Sequence, residues 1–454
     1  MTEIFSSLGK GSFFVDGGFF SNLRYIVTCH PQNLEYILKT NFDNFPKGSD
    51  FNEVFDLLGD GIFNADNELW RSQRKVAHGC FSSANFRNLV AKSTRKVIED
   101  QLVPFFAHVA KEGTIIDLQD VCKRFAFDSN MGTILGGDEK YLSIGLPVNE
   151  LADAVDDAQE AIFYRHVIPK LLWKFLRLLS VGRERKLARA WKSVDVSLGK
   201  YISQTRENLL RGVETSDLLS MHIKSQDELF RDDKFLRDAM LNLFIAGRDT
   251  IASGLIWFLW LVVKTPRVQA KILYELELIF SKKNNELQCG GIPRTKTPVV
   301  FDSEDLKGLV YLHAALCESL RLYPPLPLNS KAVLKEDVLP DGTRVKPGMQ
   351  IILSFYSEGK MPWIWGEDSL EFKPERWINE EGKLKHEPFS KFFVFNAGPR
   401  TCIGKDISFT QMKAAVAAIL FNFSIELVEH HPVCPKPFIN LHMKYGLLVR
   451  IIEK

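Results

Sequence analysis

Between residues 67 and 283, apolar positions recur at three- and four-residue spacing, the mark of helices that bury one stripe. The pattern predicts helices over 70–76, 86–109, 149–165, 183–210, 233–263 and 266–280. The two ends read differently. The first thirty residues read as strands, 12–15 and 23–28 around a turn at 16–18. Pro31 then opens a helix over 32–38, a first-turn position where its missing N–H is harmless. A helix over 309–322 stops at Tyr323-Pro324-Pro325, because proline lacks a donor and pushes its predecessor out of the helical region. Short strands around Asp341-Gly342 and Pro347-Gly348 follow, then an irregular stretch over 361–399 and a helix over 403–421. The end alternates over 441–451, with Gly446 at an expected hairpin tip. The expected fold is mainly α with a small β region drawn from both ends, as one domain over 1–454.

Composition narrows the function. The longest apolar run, 255–263, is half of what a membrane span needs, so neither a span nor a signal peptide is expected. A net charge of +2 provides no overall field for nucleic acid. Seven cysteines, without a CxxC pair, argue against zinc and redox dithiols and for a reducing compartment.

One cysteine stands apart. The run FNAGPRTCIG over 395–404 brackets Cys402 between Gly398 and Gly404, next to the start of a predicted helix. Backbone N–H groups of such a loop and helix start point at the sulfur and stabilise its anion. Gly404 lets the backbone approach a flat partner, Phe395 can shield the sulfur from water, and Arg400 offers a fixed cation to a carboxylate. The plain alternative is a buried, inert thiol. The whole pattern FxxGxRxCxG resembles the haem-binding loop of cytochromes P-450. That resemblance implies a haem b with Cys402 as its axial ligand, and the family's triangular helical fold.

Other segments resemble the family in its own order. ESLR over 318–321 sets Glu318 and Arg321 on one helix face, and FKPERW over 372–377 supplies Arg376. The resemblance makes these the Glu-Arg-Arg triad that locks the segment leading to the thiolate loop. AGRDT over 246–250 sets Ala246, Gly247 and Thr250 on one face, where glycine and threonine are expected to loosen the helical ladder. It resembles the oxygen-activating helix, which implies a Thr250 hydroxyl that holds water or dioxygen and an Asp249 that relays protons. Trp70 and Arg74 resemble the pair that meets a haem propionate. Lys331 stands where the family often has arginine for the same purpose; it keeps the charge and loses the bidentate fork.

The resemblance also implies O2 as co-substrate. No GxGxxG follows a strand, so electrons are expected from a separate NADPH–cytochrome P-450 reductase. Pocket positions inferred from the family are Phe55, Phe63, Phe244, Leu326, Leu328 and Met443, all apolar, with Glu53, Asp56 and Asp60 facing away. A hydrophobic substrate follows. The segments 50–64 (DFNEVFDLLGDGIFN), 163–187 and 395–405 (FNAGPRTCIGK) resemble the plant group of fatty-acid ω-hydroxylases and mid-chain alkane hydroxylases. The same branch contains phenol-coupling enzymes of alkaloid synthesis. A haem carrier or sensor, and a haem-thiolate isomerase or dehydratase of peroxides, are further readings; neither needs the proton delivery that Asp249 and Thr250 suggest. The stretch 164–180 holds Arg165, Lys170, Lys174 and Arg177 among apolar residues, and no acid, so a membrane surface is an expected partner. The family location is the cytosolic face of the endoplasmic reticulum. The chain opens at Met1-Thr2-Glu3 without the anchor helix, proline-rich hinge and short helix expected of plant members.

Overall fold

The structure, a computed structural model, describes residues 1–16, 24–225, 227–287, 298–385 and 391–454. The turn at 17–18, Cys289, Gly290, Gly291 and Pro293 lie outside them.

The predicted helices form, with ends shifted by a few residues. They include α3 (Asn67–Ser82), α5 (Glu150–Val167), α7 (Gly182–Leu210), α8 (Asp233–Lys264), α9 (Val310–Leu322) and α10 (Lys405–Asn422). Two more labels precede them, α1 (Thr2–Leu8) and α2 (Gly48–Val54). Between α3 and α5 lies α4 (Leu118–Asn130), and between α5 and α7 the short α6 (Lys170–Leu178). The 86–109 helix is in fact Ala84–Val97 and Val103–Glu112 joined by a π-turn at Ile98–Leu102.

Two expectations need correction. The chain does not open on strands: α1 comes first, anchored by the buried Phe5, and Gly9 ends it in the left-handed region. The end of the chain is not a hairpin about Gly446. His442–Met443 pairs with Pro435–Lys436, whereas Leu448–Glu453 lies between Ile115–Asp117 and Phe423–Leu427. Gly446, at φ 67°, is needed because a Cβ there would sit 2.2 Å from the Asp117 carboxylate, which accepts the Leu447 N–H.

The other sheet joins both halves of the chain. Strands β1 (Ser12–Asp16), β2 (Arg24–Thr28), β3 (Leu328–Ala332) and β4 (Gln350–Ser354) run in the order β1-β2-β4-β3. Only the β2–β4 pair is parallel. Helix α8 is the axis of the fold and packs on α4, α7, α9 and α10. It is long and apolar enough to cross a membrane, yet 72% of its most apolar window is buried inside the protein. Its apolarity is therefore accounted for by the core.

Candidate active site

From Phe235 to Leu259, α8 is buried except at Ile245, Ala246, Gly247 and Thr250. A central helix that is accessible at one internal stretch borders an interior cavity. The ladder is not loosened there: α8 stays α-helical throughout, and the Thr250 hydroxyl donates back to Ala246 O at 2.6 Å. Gly247 has a packing reason instead. A Cβ would lie 2.2 Å from Asn130 Oδ1 of α4, so glycine permits that helix contact.

Asp249 leaves α8 on another side and is fully buried against α5. Gln159 Nε2 donates to its Oδ2 at 2.5 Å, and Arg248 lies 3.4 Å from Oδ1. Burial raises its pKa, with Arg248 and the Gln159 hydrogen bond opposing. Arg248 in turn pairs at 2.7 Å with Asp156, whose side chain is 40% exposed. A charged path thus runs from the surface to Asp249.

The cysteine loop is held from several directions. Cys402 N–H donates to Phe395 O at 2.7 Å, closing the loop around a short 3-10 turn at Gly398–Arg400. Gly398, at φ 63°, is obligatory because a Cβ would lie 2.1 Å from Leu38 O. Arg74 donates to Thr401 O at 2.5 Å. Phe395 packs against Phe409, with centroids 5.4 Å apart. The Cys402 side has an open face, although its surroundings are protein: the residue is exposed, yet burial is the largest influence on its thiol and raises the pKa. The Gly404 N–H, Arg74 and Lys405 oppose that rise. Gly404 itself is not demanded by protein neighbours, since a Cβ would meet only Phe81, at 3.6 Å.

Beside the loop, cations outnumber anions. Arg400 donates to Ala65 O at 2.5 Å and to Asp66 Oδ1 at 2.8 Å, and its guanidinium lies 4.7 Å from the Trp70 ring. Lys331 is 1% exposed and its Nζ has no hydrogen-bond partner. Burial first, and Arg400 next, bring Lys331 down to about 7. Lys47, which sequence reading missed, has its pKa held well below the ordinary value by burial, Lys331 and Arg400, and it donates to Asn329 Oδ1 at 2.8 Å. Asp66 is the anion that offsets these charges at Lys331 and Lys47. A buried, uncompensated group of cations is costly unless an anionic ligand completes it. An open-faced cysteine beside an orphaned ammonium and Arg400, whose Nε is also unpartnered, fits a haem with its iron and two propionates. Lys47 lies far from the motifs in sequence, and only its following glycine hinted at a constrained position.

Behind the loop, Glu318 and Arg321 are fully buried and bidentate, at 2.7 and 2.8 Å. Arg321 also donates to the carbonyls of Gly359 and Ser369. Arg376 reaches Glu318 at 3.4 Å and Asp368 at 2.8 Å. Trp377 Nε1 donates to Glu318 Oε2 at 2.8 Å, a member of the cluster that the ExxR spacing gave no sign of.

The six pocket positions do not behave alike. Leu326 and Leu328 are exposed, and Phe55 and Phe63 are half-buried. Phe244 and Met443 are not pocket walls. They are 0% and 1% exposed, so neither offers surface to a cavity that admits water; Phe244 packs edge-on to Phe127, and the Met443 backbone is bonded to Gln119. The helical position of Phe244 put it near Thr250 in sequence, yet its side faces the α4 core. Glu53 and Asp56 do turn away, toward α6.

Comparison with known proteins gives a consistent result. The chain is 40% identical to "Alkane hydroxylase MAH1" of Arabidopsis thaliana, over 98% of this chain and 87% of that protein. It is 42% identical to "Cytochrome P450 86B1" of Arabidopsis thaliana, over 98% and 80%. It is 39% identical to "Noroxomaritidine synthase 2" of Narcissus aff. pseudonarcissus MK-2014, over 98% and 85%. The crystal structure of a cytochrome P450 (CYP102L1) shares the fold, with a TM-score of 0.81 at 21% identity over 100% of this chain and 97% of that one. With the family model "Cytochrome P450" matching residues 18–448, the chain belongs to the cytochrome P450 family of haem-thiolate monooxygenases.

Proposed function

We propose that this chain inserts one oxygen atom into a long aliphatic substrate, an alkane or fatty acid, with Cys402 as the residue that would hold the haem iron. The observation that carries the reading is the accessible stretch in the interior of α8, uncharged at Ile245, Ala246, Gly247 and Thr250, with the exposed Leu326 following Pro325 beside Gly254. The cations nearby are grouped around Asp66 and suit the haem carboxylates, which leaves an apolar space for substrate.

When bound, the haem supplies reductive activation of O2, and a thiolate ligand favours O–O cleavage. Arg74, Lys331, Arg400, Lys47 and Trp70 would hold its carboxylates. Phe395 shields the sulfur. The Glu318–Arg321–Arg376 cluster keeps the loop in place from behind. The Thr250 hydroxyl exchanges its bond to Ala246 O for a water, and so presents a proton at Oγ1 toward the cavity. Asp249 returns that proton from solvent water, while Arg248 and Asp156 hold its carboxyl in place and do not themselves carry the proton. Electrons come from a separate NADPH–cytochrome P450 reductase.

In this reading the chain works at a membrane surface, that of the endoplasmic reticulum. Leu171, Phe175 and Leu178 recur on one outward face of α6 and are 83%, 55% and 81% exposed. Trp173 does not belong to that face; it is buried beneath Arg165. Replacing Leu171, Phe175 and Leu178 with serine should weaken sedimentation with liposomes at least several-fold, and unchanged sedimentation would remove the membrane reading.

The second reading is oxidative coupling of two phenol rings without oxygen insertion, kept open by near-equal likeness to a hydroxylase and to noroxomaritidine synthase. A product analysis separates them. The protein, plant reductase and NADPH would be given long alkanes, fatty acids and a bis-phenolic amine together. One oxygen gained by an alkane or fatty acid is expected. Loss of two hydrogens from the amine, with no oxygen gained, would move the assignment to coupling.

A further inference from the structure

Helix α2 has no buried residue. Its two ends are pinned. Asp66 accepts the N–H groups of Lys47 and Gly48 at 3.0 Å, and the buried Arg165 donates to Val54 O and Asp56 at 3.0 and 2.8 Å. The loop that follows is fixed to α8 by side chains there: Asp238 accepts the Asp60 N–H, and Asn242 accepts the Phe63 N–H. Between its pinned ends, α2 is joined to α6 through charge. Lys170 pairs with Asp50 at 3.0 Å and with Glu53, Lys174 pairs with Glu53, and Arg177 pairs with Asp56 at 2.5 Å. All three cations are substantially exposed, between 33% and 50%.

The cations and the apolar residues of α6 follow the same period, one position apart. Lys170, Lys174 and Arg177 form one stripe, and Leu171, Phe175 and Leu178 form the stripe beside it. Only Trp173 is buried, so α6 is held in place while its basic edge meets α2 and its apolar edge meets solvent. No acid lies on α6; the acids that balance it are all on α2 and the residue-56 turn.

We propose that α2 is a lid latched to α6 by these ion pairs, and that an anionic lipid surface opens it by competing for Lys170, Lys174 and Arg177. The occupant fits on two counts: exposed leucines and phenylalanine seat at the acyl boundary, and headgroup phosphates and carboxylates replace Asp50, Glu53 and Asp56 as counter-ions. Freed of these partners, α2 keeps its pinned ends, the Gln350 hydrogen bond to Asp50 and the contacts of Phe51 and Phe55, but loses every ion pair to α6. The lid leads into the loop that Arg400 holds beside the cysteine, so its release widens the passage to the interior cavity. The proposal rests on the membrane reading above.

The test uses haem-loaded full chain and 1-dodecylimidazole, an azole on an aliphatic tail whose arrival at the iron shifts the Soret band. Its association rate is followed by stopped flow in low and high salt, and with vesicles of phosphatidylcholine alone or with phosphatidylserine. The imidazole of the probe is partly cationic near neutral pH and favours phosphatidylserine, so its partition into each vesicle is measured separately and divided out. Expected are a rate roughly two- to fivefold higher in high salt, in Glu53→Gln, and with phosphatidylserine vesicles. In Glu53→Gln, and likewise in Lys174→Gln, the added gain from phosphatidylserine should shrink. Equal rates for wild type and both variants would overturn the latch. Vesicle binding by sedimentation without faster association would overturn the lipid trigger while leaving the membrane reading in place. Failure to sediment with phosphatidylserine vesicles would overturn both.

Discussion

Two regions of this molecule are held by carboxylate–cation pairs and differ in nearly everything else. Behind the cysteine loop, Glu318 and Arg321 are 0% exposed, and the remaining oxygens and N–H groups of the pair are bonded to Arg376, Trp377 and backbone carbonyls. Between α2 and α6, the pairs lie near the surface and bury no side chain of α2. The comparison teaches that the same chemistry serves opposite ends. In the interior, a broken pair strands a charge where water cannot reach it, so the arrangement is effectively permanent. At the surface, water and salt substitute for either partner, so the arrangement is reversible.

The largest effect should come from Arg321→Ala. It leaves Glu318 buried without its bidentate partner, a loss of roughly 3–5 kcal/mol, and the purified variant should contain little haem. Normal haem content and an unchanged urea midpoint would break the comparison at its buried end. Arg400→Ala comes next. It leaves Asp66 with only the Lys47 and Gly48 N–H groups and releases the Ile62 and Ala65 carbonyls, so a loss of about 1–3 kcal/mol and faster haem transfer to apomyoglobin are expected. Thr250→Ala should hardly change stability, because the hydroxyl bonds only within its own helix. It should keep haem yet release more peroxide per NADPH consumed; tight coupling would remove the role given to Thr250.

The smallest effect belongs to the surface seam. A double-mutant cycle on Glu53 and Lys174 should give a coupling of about 0.2–1 kcal/mol that fades in salt. Its pH dependence has a definite sign. Burial would raise Glu53, but hydrogen bonds from Lys170 and Lys174 outweigh it and hold its pKa below the ordinary value. The contribution of this pair is therefore present above the ordinary glutamate pKa and is lost as pH falls through the lowered one. A coupling as large as that of the buried cluster would show that the seam is not a reversible latch.

What could be read in the sequence follows from the same physics. The cysteine loop, the ExxR pair and the AGRDT segment were legible because their residues are close in the chain and their chemistry dictates spacing. Helices α7 and α8 were legible from length and periodicity. Helix α4 was not singled out, because Arg124, Asp128, Ser129 and Asn130 read as a solvent face in sequence and fold into the core instead. Lys47 and Asp66 were not either: they meet Lys331 and Arg400 only through folding, across more than two hundred residues, and each looks like an ordinary surface charge. Phe244 and Met443 failed for the converse reason. Nearness in sequence to functional residues does not fix which way a side chain points, and both turned into the core.

The central claim is that Cys402 holds the haem iron as a thiolate. The reduced, carbon monoxide-bound spectrum tests it most directly, recorded for wild type, Cys402→Ser and Cys434→Ser. The account predicts the red-shifted Soret band of thiolate-ligated haem in wild type and Cys434→Ser, and its absence from Cys402→Ser. A full red-shifted band in Cys402→Ser would contradict it.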